Sequence, residues 1–207
     1  MRVAFLVFLA AFGLAGCTAN PVWAPEEAVR EARYHHSGPP RLTLFTMVSN
    51  NTGSGGHTSL MINGSQRVIF DPSGSFHHDK IPERNDVLFG ITPQVADAYT
   101  RYHARETWRV VVQEVDVSPQ VAELALKIAQ EYGAVPNAYC AHSTSTILRQ
   151  LPGFESIKQG MFPVKLAEQF REIPNVSERT LHEYDSDDNS RALADWDPNR
   201  FAQSQKK

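Results

Sequence analysis

The chain has 207 residues, of which 42% are hydrophobic and 21% charged, an ordinary composition for a globular protein. The formal net charge is −3 at pH 7 and the basic residues form no stripe, which argues against a nucleic-acid partner. The length suits one domain with loose ends, and we expect a monomer.

Residues 1–16 are typical of a bacterial lipoprotein signal peptide. Arg2 precedes an apolar stretch over residues 3–14, and small residues lead up to Cys17. This pattern predicts cleavage before Cys17 and its lipidation with acyl chains such as palmitate, which would anchor the protein stably. The apolar stretch is shorter than the roughly 20 residues that span a bilayer. We therefore expect a lipid-anchored protein of the bacterial cell envelope, facing the periplasm from the outer or inner membrane. An ordinary secretory peptide with an incidental cysteine is the alternative.

The segment over residues 17–41 is predicted to be a lipidated tether. Several prolines interrupt it, although residues 26–33 could form a short helix. The adjacent His35 and His36 within it are expected to be solvated.

A β-hairpin follows the tether. Residues 42–48 are predicted to form a strand, and His57 opens a second strand directly after a loop of small residues. Asn63-Gly64 is a strong hairpin signal, from which a third strand returns and ends at Asp71. With a three-residue loop His57 and Asp71 lie opposite each other, within hydrogen-bonding distance. A two-residue loop would turn Asp71 to the other face and leave His77 or His78 as the partner of His57.

The second half of the chain is predicted to be largely helical. Residues 75–92 are expected to be irregular and residues 177–207 to form a polar, mobile tail. The elements between them are a helix at 93–104, a strand at 108–115, and helices at 118–132, 140–151 and 163–171. Hairpin strands followed by helices indicate an α+β fold, with an antiparallel sheet packed against helices in one domain over residues 42–176.

Cys140 is the one cysteine left after the predicted lipidation of Cys17, and it lies where a helix begins. A thiol attacks carbonyl carbon as the thiolate, whose pKa falls at a helix N-terminus or beside an imidazolium. The free N–H groups of the helix start could also hold a developing oxyanion. The alternative is a buried, inert cysteine.

A histidine base has to come from elsewhere in the chain. His142 is a poor candidate because two residues along a helix rotate its side chain about 200° away from Cys140. His57 is favoured because a strand end orients an imidazole well, and Asp71 would hold its tautomer. For Asp71 the alternative is a turn cap before Pro-Ser-Gly.

Three motifs together resemble one known family. They are Gly56-His57-Thr58-Ser59-Leu60-Met61-Ile62, the strand ending Phe70-Asp71-Pro72-Ser73-Gly74-Ser75-Phe76, and Tyr139-Cys140-Ala141-His142-Ser143 before a helix. In this order they resemble the circularly permuted NlpC/P60 branch of papain-like enzymes, an order shared with lecithin:retinol acyltransferase-like proteins. The resemblance covers roughly residues 42–171. It implies a nucleophile at Cys140, a base at His57 and a polar orienter at Asp71.

The resemblance implies a cysteine hydrolase that cleaves amide or peptide bonds, with a peptidoglycan peptide as the expected substrate. An acyl-lipid or thioester substrate for the same dyad is the second interpretation. The family usually has an acidic or amide residue before the cysteine and Ser-Gly after it, whereas this chain has Tyr139 and Ala141-His142. That departure keeps a third interpretation open, a non-catalytic lipoprotein that binds wall peptides or a protein partner.

Tyr139, His77 and His78 are the remaining candidates for substrate-contacting or orienting residues. No cofactor is expected, and no metal site is predicted because the chain has neither C-x-x-C nor H-x-x-x-H. Adjacent histidines such as His77 and His78 point to opposite faces of a strand and rarely bind one ion.

Overall fold

A computed structural model of the protein describes residue 19 and residues 21–189. The predicted signal peptide over residues 1–16, Cys17 and the tail beyond residue 189 lie outside the described residues. The elements in chain order are α1 (Glu26–Ala32), β1 (Arg41–Ser49), β2 (Gly55–Asn63), β3 (Arg67–Phe70), β4 (Glu83–Arg84), β5 (Val87–Leu88), α2 (Pro93–His103), β6 (Trp108–Asp116), α3 (Pro119–Glu131), α4 (Cys140–Leu148), α5 (Pro163–Arg171) and β7 (Ser177–His182).

Within the described residues, the seven strands form a single antiparallel sheet and five helices cover it. The strand order is β4-β5-β3-β2-β1-β6-β7. This confirms the predicted α+β class and the antiparallel sheet. No helix in this part of the chain is long and apolar enough to cross a bilayer.

The sheet is buried on both faces. Successive residues of β1 point to opposite sides, so Leu42 and Leu44 join the core under α3, α4 and α5, whereas Phe45 and Met47 join the core under α2. This explains why β1 reads as a continuous apolar run rather than an alternating one. Helix α2 begins with Thr92 accepting a hydrogen bond from the Val95 N–H, as expected of an N-cap.

The β2–β3 hairpin has a register two residues away from the prediction. Ile62 pairs with Val68 rather than with residue 66, and Asn63 stays in the strand opposite Arg67. The Asn63 amide donates to the carbonyl of Pro39 at 2.7 Å, which holds the residue in the strand and moves the loop to residues 64–66. A shift of two residues keeps each side chain on its original face, so His57 and Asp71 still share one face of the sheet.

The predicted tether is part of the folded body from Val22 onward. Asn85 donates to the Val22 carbonyl, Ala24 donates to the Glu83 carbonyl, and Val29 of α1 is buried in the core. Glu83 is in β4 and Asn85 is in the turn after it, both in the segment expected to be irregular. The prolines of the segment interrupt regular structure without preventing it from packing.

The prediction of a mobile tail is wrong for residues 177–182. These residues form β7, which pairs with β6 from Arg109↔His182 to Glu114↔Ser177. The side chains of β7 are mostly exposed, so its polar composition suggested disorder. Backbone pairing explains the strand, because β6 would otherwise leave an open edge.

Candidate active site

The Cys140 thiol lies beside β2, just beyond the point where the β2–β3 ladder stops. The last pair of that ladder is Leu60↔Phe70. Thr58 lies two residues before Leu60 in β2, and its backbone N–H hydrogen-bonds to the Cys140 sulfur. The departure of β3 therefore opens a gap at the strand edge that the start of α4 fills. Cys140 is only 6% exposed, so little of the residue is open to solvent.

The His57 imidazole joins the thiol to a buried carboxylate. Its Nε2 lies 2.7 Å from Oδ1 of Asp71, and the ring also hydrogen-bonds to Cys140. Because Nε2 is occupied by Asp71, Nδ1 is the nitrogen left for the sulfur. By extension of the ladder, Ser59 is opposite Asp71, and His57 reaches the carboxylate diagonally, a distance that a ring can span. The structure thus brings together Cys140, His57 and Asp71.

Tyr99 of α2 hydrogen-bonds to Asp71 on the α2 side of the sheet. Its buried hydroxyl lies 2.6 Å from Asp71 Oδ1 and 2.7 Å from Ser59 Oγ. A phenol has one hydrogen and a carboxylate only accepts, so Tyr99 donates to Asp71 and accepts from Ser59. Asp71 Oδ1 consequently accepts from both His57 and Tyr99, which fixes the carboxylate and keeps it ionised.

The electrostatics favour a thiolate–imidazolium pair. Burial alone would lower the pKa of His57, but the hydrogen bond and charge of Asp71, with a further contribution from Cys140, raise it to about 10. Burial would raise the pKa of Cys140, which also disfavours the charged form. His57 and the backbone N–H groups of Thr58 and Ala141 nevertheless lower the pKa below its usual value. Burial also opposes ionisation of Asp71, yet the hydrogen bond and charge of His57 keep the pKa of that carboxyl below its ordinary value.

The first turn of α4 presents backbone donors at the sulfur. Tyr139 is the N-cap residue, but its side chain makes no capping hydrogen bond, and the first helical bond runs from Ser143 N–H to the Tyr139 carbonyl. The N–H groups of Cys140, Ala141 and His142 therefore have no intrahelical acceptor. Donors in this position can hold a negative oxygen that develops next to the sulfur.

A turn after β3 holds the carboxylate in place. The N–H of Gly74 donates to the Asp71 carbonyl, and a Cβ at Gly74 would lie 1.8 Å from Asp71 Oδ2. Glycine is thus the residue that fits when the Asp71 side chain folds back over its own turn. Asp86 then links this turn to the loop before α4, because its carboxylate accepts from the N–H groups of Ser73 and Val135.

Backbone strain is concentrated around the same groups. Among the described residues other than glycine, five have positive φ, and three of them flank the site: Ser73 (+56°), Asp86 (+66°) and Ala138 (+69°). Each left-handed residue costs on the order of 1 kcal/mol, so the surrounding hydrogen bonds must maintain these turns.

A cavity of about 260 Å³ adjoins the imidazole on the α2 side of the sheet. Its walls include Met47, Trp108 and the buried Arg105, with His57 at one end. Gly56 allows this arrangement, because a Cβ there would lie 2.5 Å from the Trp108 ring. Apolar atoms make up most of its walls, and its charged residues are Arg105, which lies 3.7 Å from Asp185, and Asp187.

His103 is a further histidine at the site. Its ring lies 5.9 Å from that of His57 between centroids, and its Nδ1 donates to the Tyr99 carbonyl. Its Nε2 is buried without a hydrogen-bond partner in the described chain. Burial lowers the pKa of His103 to about 4, so the ring is neutral at pH 7.

His57, Asp71 and His103 are also the one set of described residues that could hold a metal ion. One ligand atom from each lies within 4.8 Å of the others. The sequence predicted no metal site, because these ligands come from two strands and a helix with no recognisable spacing. A metal here would have to replace the proton that now joins His57 to Asp71.

The other predicted residues lie apart from the relay. His77 pairs with Glu83 at 2.8 Å on the surface, and the ring of His78 accepts from the Lys80 N–H. Tyr139 is partly exposed beside Cys140, with its ring against His142. Sequence reasoning missed Tyr99, His103 and Asp86, which no local pattern distinguishes from core or turn residues.

Compared with protein-family models, with curated proteins and with solved structures, the chain has no match in any of the three. The geometry of the site is therefore the basis on which a function can be proposed.

Proposed function

We propose that this protein is a cysteine hydrolase of the permuted papain-like type, resembling the NlpC/P60 branch, and that it cleaves an amide or peptide bond. The observation that carries this proposal is the buried relay in which Asp71 bonds to His57 at 2.7 Å and His57 bonds to the Cys140 thiol. An inert core cysteine has no need of an imidazolium, a buried carboxylate and backbone donors around one sulfur.

The chemistry proceeds in two halves. The Cys140 thiolate attacks the amide carbonyl carbon, and the oxyanion is held by N–H groups at the start of α4. Protonated His57 then gives its proton to the leaving amine as the C–N bond breaks, which leaves a thioester on Cys140. Neutral His57 next takes a proton from water, and the hydroxide attacks the thioester. The carboxylic acid leaves and the thiolate–imidazolium pair is restored.

A peptide of peptidoglycan is the proposed substrate. This choice combines the family resemblance with the signal peptide and lipid anchor expected at Cys17, which would put the protein in the periplasm as a monomer beside the cell wall. Tyr139, partly exposed next to the sulfur, is a candidate substrate contact. The mechanism uses no metal or cofactor.

The apolar cavity beside His57 favours a second candidate. Met47 and Trp108 could hold an acyl chain, and the same nucleophile would then transfer or hydrolyse a lipid or thioester acyl group. A lipid anchor would place such a substrate within reach.

The first experiment is the pH dependence of Cys140 alkylation by iodoacetamide in the wild-type protein and in His57→Ala. We expect a thiol pKa well below the reference of about 8.5, rising towards that reference when His57 is removed. His77→Ala is the matched control, because His77 also pairs with a carboxylate but lies on the surface. A thiol of ordinary pKa that ignores His57 would refute the relay.

Product analysis then separates the substrate classes. Muropeptides and phospholipids are incubated with the wild-type protein and with Cys140→Ala, and the products are identified by mass spectrometry. Cleavage of muropeptides that Cys140→Ala abolishes supports the amidase, and release of fatty acid supports the acyl enzyme. A reactive thiol that turns over neither class would favour the non-catalytic binding protein.

A further inference from the structure

A second cavity, with a more polar lining, lies at the end of the β1–β2 hairpin that is farther from the thiol. It has a volume of about 120 Å³, several times the roughly 30 Å³ that a water molecule occupies in the liquid. Beside Pro39 and Met61 it is lined by six polar residues, namely His36, Arg41, Thr43, Asn63, Arg67 and Glu114. These positions come from the segment before β1, the start of β1, the end of β2, the start of β3 and strand β6.

Arg67 is the unusual member of this lining. Its side chain is only 5% exposed, yet in the part of the chain that the structure describes it has no carboxylate partner. Its Nε donates to the Ile91 carbonyl at 2.5 Å, and its guanidinium lies over the Tyr34 ring at 5.2 Å from the centroid. Its Nη2 is buried with no hydrogen-bond partner. A buried guanidinium normally lies next to a counter-charge, and no carboxylate of the described chain is within ion-pair distance of this one.

Two more polar atoms in the same cavity lack partners. They are the hydroxyl of Thr43 and Oδ1 of Asn63. Three of the buried side-chain atoms without partners thus belong to residues that line one cavity, although such atoms are normally satisfied. The set offers a charged donor, a hydroxyl and an acceptor, which a ligand with several oxygens and a hydroxyl could satisfy together.

The two carboxylates near the cavity, Glu114 and Asp116, both lie beside Arg41 and not beside Arg67. Arg41 bonds to Asp116 at 2.6 Å and lies 3.8 Å from Glu114, so its charge is already compensated. Burial, followed by the charges of Arg67 and Arg41, lowers the pKa of His36, which keeps that ring neutral at pH 7. Arg67 is thus the guanidinium of this lining that has no carboxylate of the described chain within ion-pair distance, which suits a small anion as its partner.

We propose that this cavity binds a singly charged oxyanion of the phosphate class, with Arg67 as its principal ligand and Thr43 and Asn63 as secondary contacts. Dihydrogen phosphate and the phosphodiester of a polyol headgroup share this chemistry. A bare carboxylate fits less well, because it offers no donor to Asn63 Oδ1. The inference is independent of the cysteine chemistry.

Arg84 provides a matched control for Arg67. Its Nε also donates to a backbone carbonyl, that of Ala24, and its guanidinium also lies over an aromatic ring, that of Trp23. It differs in having a carboxylate partner, Glu26, at 3.0 Å, and it lies outside the cavity.

The test is a thermal unfolding titration of the full-length protein with sodium phosphate, with sodium chloride added to hold the ionic strength constant. Wild type and Arg84→Gln should show the same saturable rise in Tm. Arg67→Gln should weaken the apparent affinity about tenfold or more, the usual effect of losing a charge-assisted hydrogen bond. Thr43→Val should weaken the apparent affinity about threefold. Because the Thr43 hydroxyl has no hydrogen-bond partner, this substitution breaks no existing hydrogen bond, and it still tests the anion site if Arg67→Gln does not fold.

Glycerophosphoglycerol, the deacylated headgroup of phosphatidylglycerol, forms the second arm of the titration. Tighter binding of this diester supports a lipid headgroup as the ligand, and tighter binding of phosphate supports a free anion. Equal Tm rises in wild type and all three variants would overturn the proposal, because phosphate salts stabilise proteins generally. No saturable rise with either probe would also overturn it and assign the cavity to water.

Discussion

Replacing Asp71 with asparagine tests the relay with the smallest change of shape. Asparagine keeps the size of the side chain and an oxygen that can accept from Tyr99, but it removes the negative charge next to His57. The pKa of His57 is about 10, roughly 3.5 units above its ordinary value, and Asp71 contributes more of that rise than Cys140 does. Because burial opposes this rise, Asp71 and Cys140 together raise the pKa by more than about 3.5 units, and losing the larger share lowers the pKa of His57 by at least about 2 units.

The thiol should respond in the opposite direction. A weaker imidazolium stabilises the thiolate less, so the pKa of Cys140 rises in Asp71→Asn. At pH 6 the rate of alkylation by iodoacetamide should fall about tenfold or more, and the acid limb of the profile should move upward by about 1–2 units. Amide cleavage should also lose its alkaline plateau, because His57 would deprotonate at or below about pH 8 instead of near pH 10.

Glu83→Gln is the matched control for this experiment. Glu83 accepts from His77 at 2.8 Å, nearly the separation found in the His57–Asp71 pair, but the His77 side chain is 61% exposed and far from the thiol. The alkylation profile of Glu83→Gln should overlay that of the wild type. An Asp71→Asn protein that folds normally by circular dichroism and reacts with the wild-type profile would refute the reasoning.

Three further outcomes follow from the site. Gly74→Ala should lower both Tm and Cys140 reactivity, because its Cβ would lie 1.8 Å from Asp71 Oδ2, whereas Gly160→Ala, with open space around it, should leave both unchanged. Burial lowers the pKa of His103 from 6.5 to about 4, so between these pH values the unfolded chain binds more protons than the folded protein. The free energy of unfolding should therefore fall by at most about 3 kcal/mol as the pH drops from 6.5 to 4. In urea denaturation at a series of pH values, His103→Phe should remove this part of the pH dependence. A chelator such as EDTA should leave cleavage unchanged, and activity that zinc restored after chelation would instead make His57, Asp71 and His103 metal ligands.

The parts of the site that lie on regular elements could be predicted from the sequence. His57 and Asp71 are on adjacent strands of one hairpin, and the period of two in a strand places them on one face even when the register is wrong by two residues. Cys140 at the start of α4 follows from the loop before it and the apolar spacing after it. In each case the relevant contact is encoded within a short stretch of chain.

The supporting residues depend on packing between distant segments. Tyr99 reads as an ordinary core residue of α2, and only the packing of α2 under the sheet brings its hydroxyl to Asp71. Asp86 resembles any loop carboxylate until the fold places Ser73 and Val135 against it. Strand β7 was missed for another reason, since its stability comes from backbone pairing to the edge of β6 and its side chains carry no apolar pattern.

The relay and the anion cavity are two separate sites. His57 is the third residue of β2 and Asn63 is its last, so six residues of extended strand separate them. At about 3.3 Å per residue this is roughly 20 Å, too far for one small ligand to touch both. Loss of phosphate binding in Arg67→Gln should therefore leave the alkylation profile of Cys140 unchanged, and Asp71→Asn should leave the phosphate-induced rise in Tm intact. Each proposal can fail without affecting the other, and a coupling between the two readouts would require a conformational change along the β1–β2 hairpin.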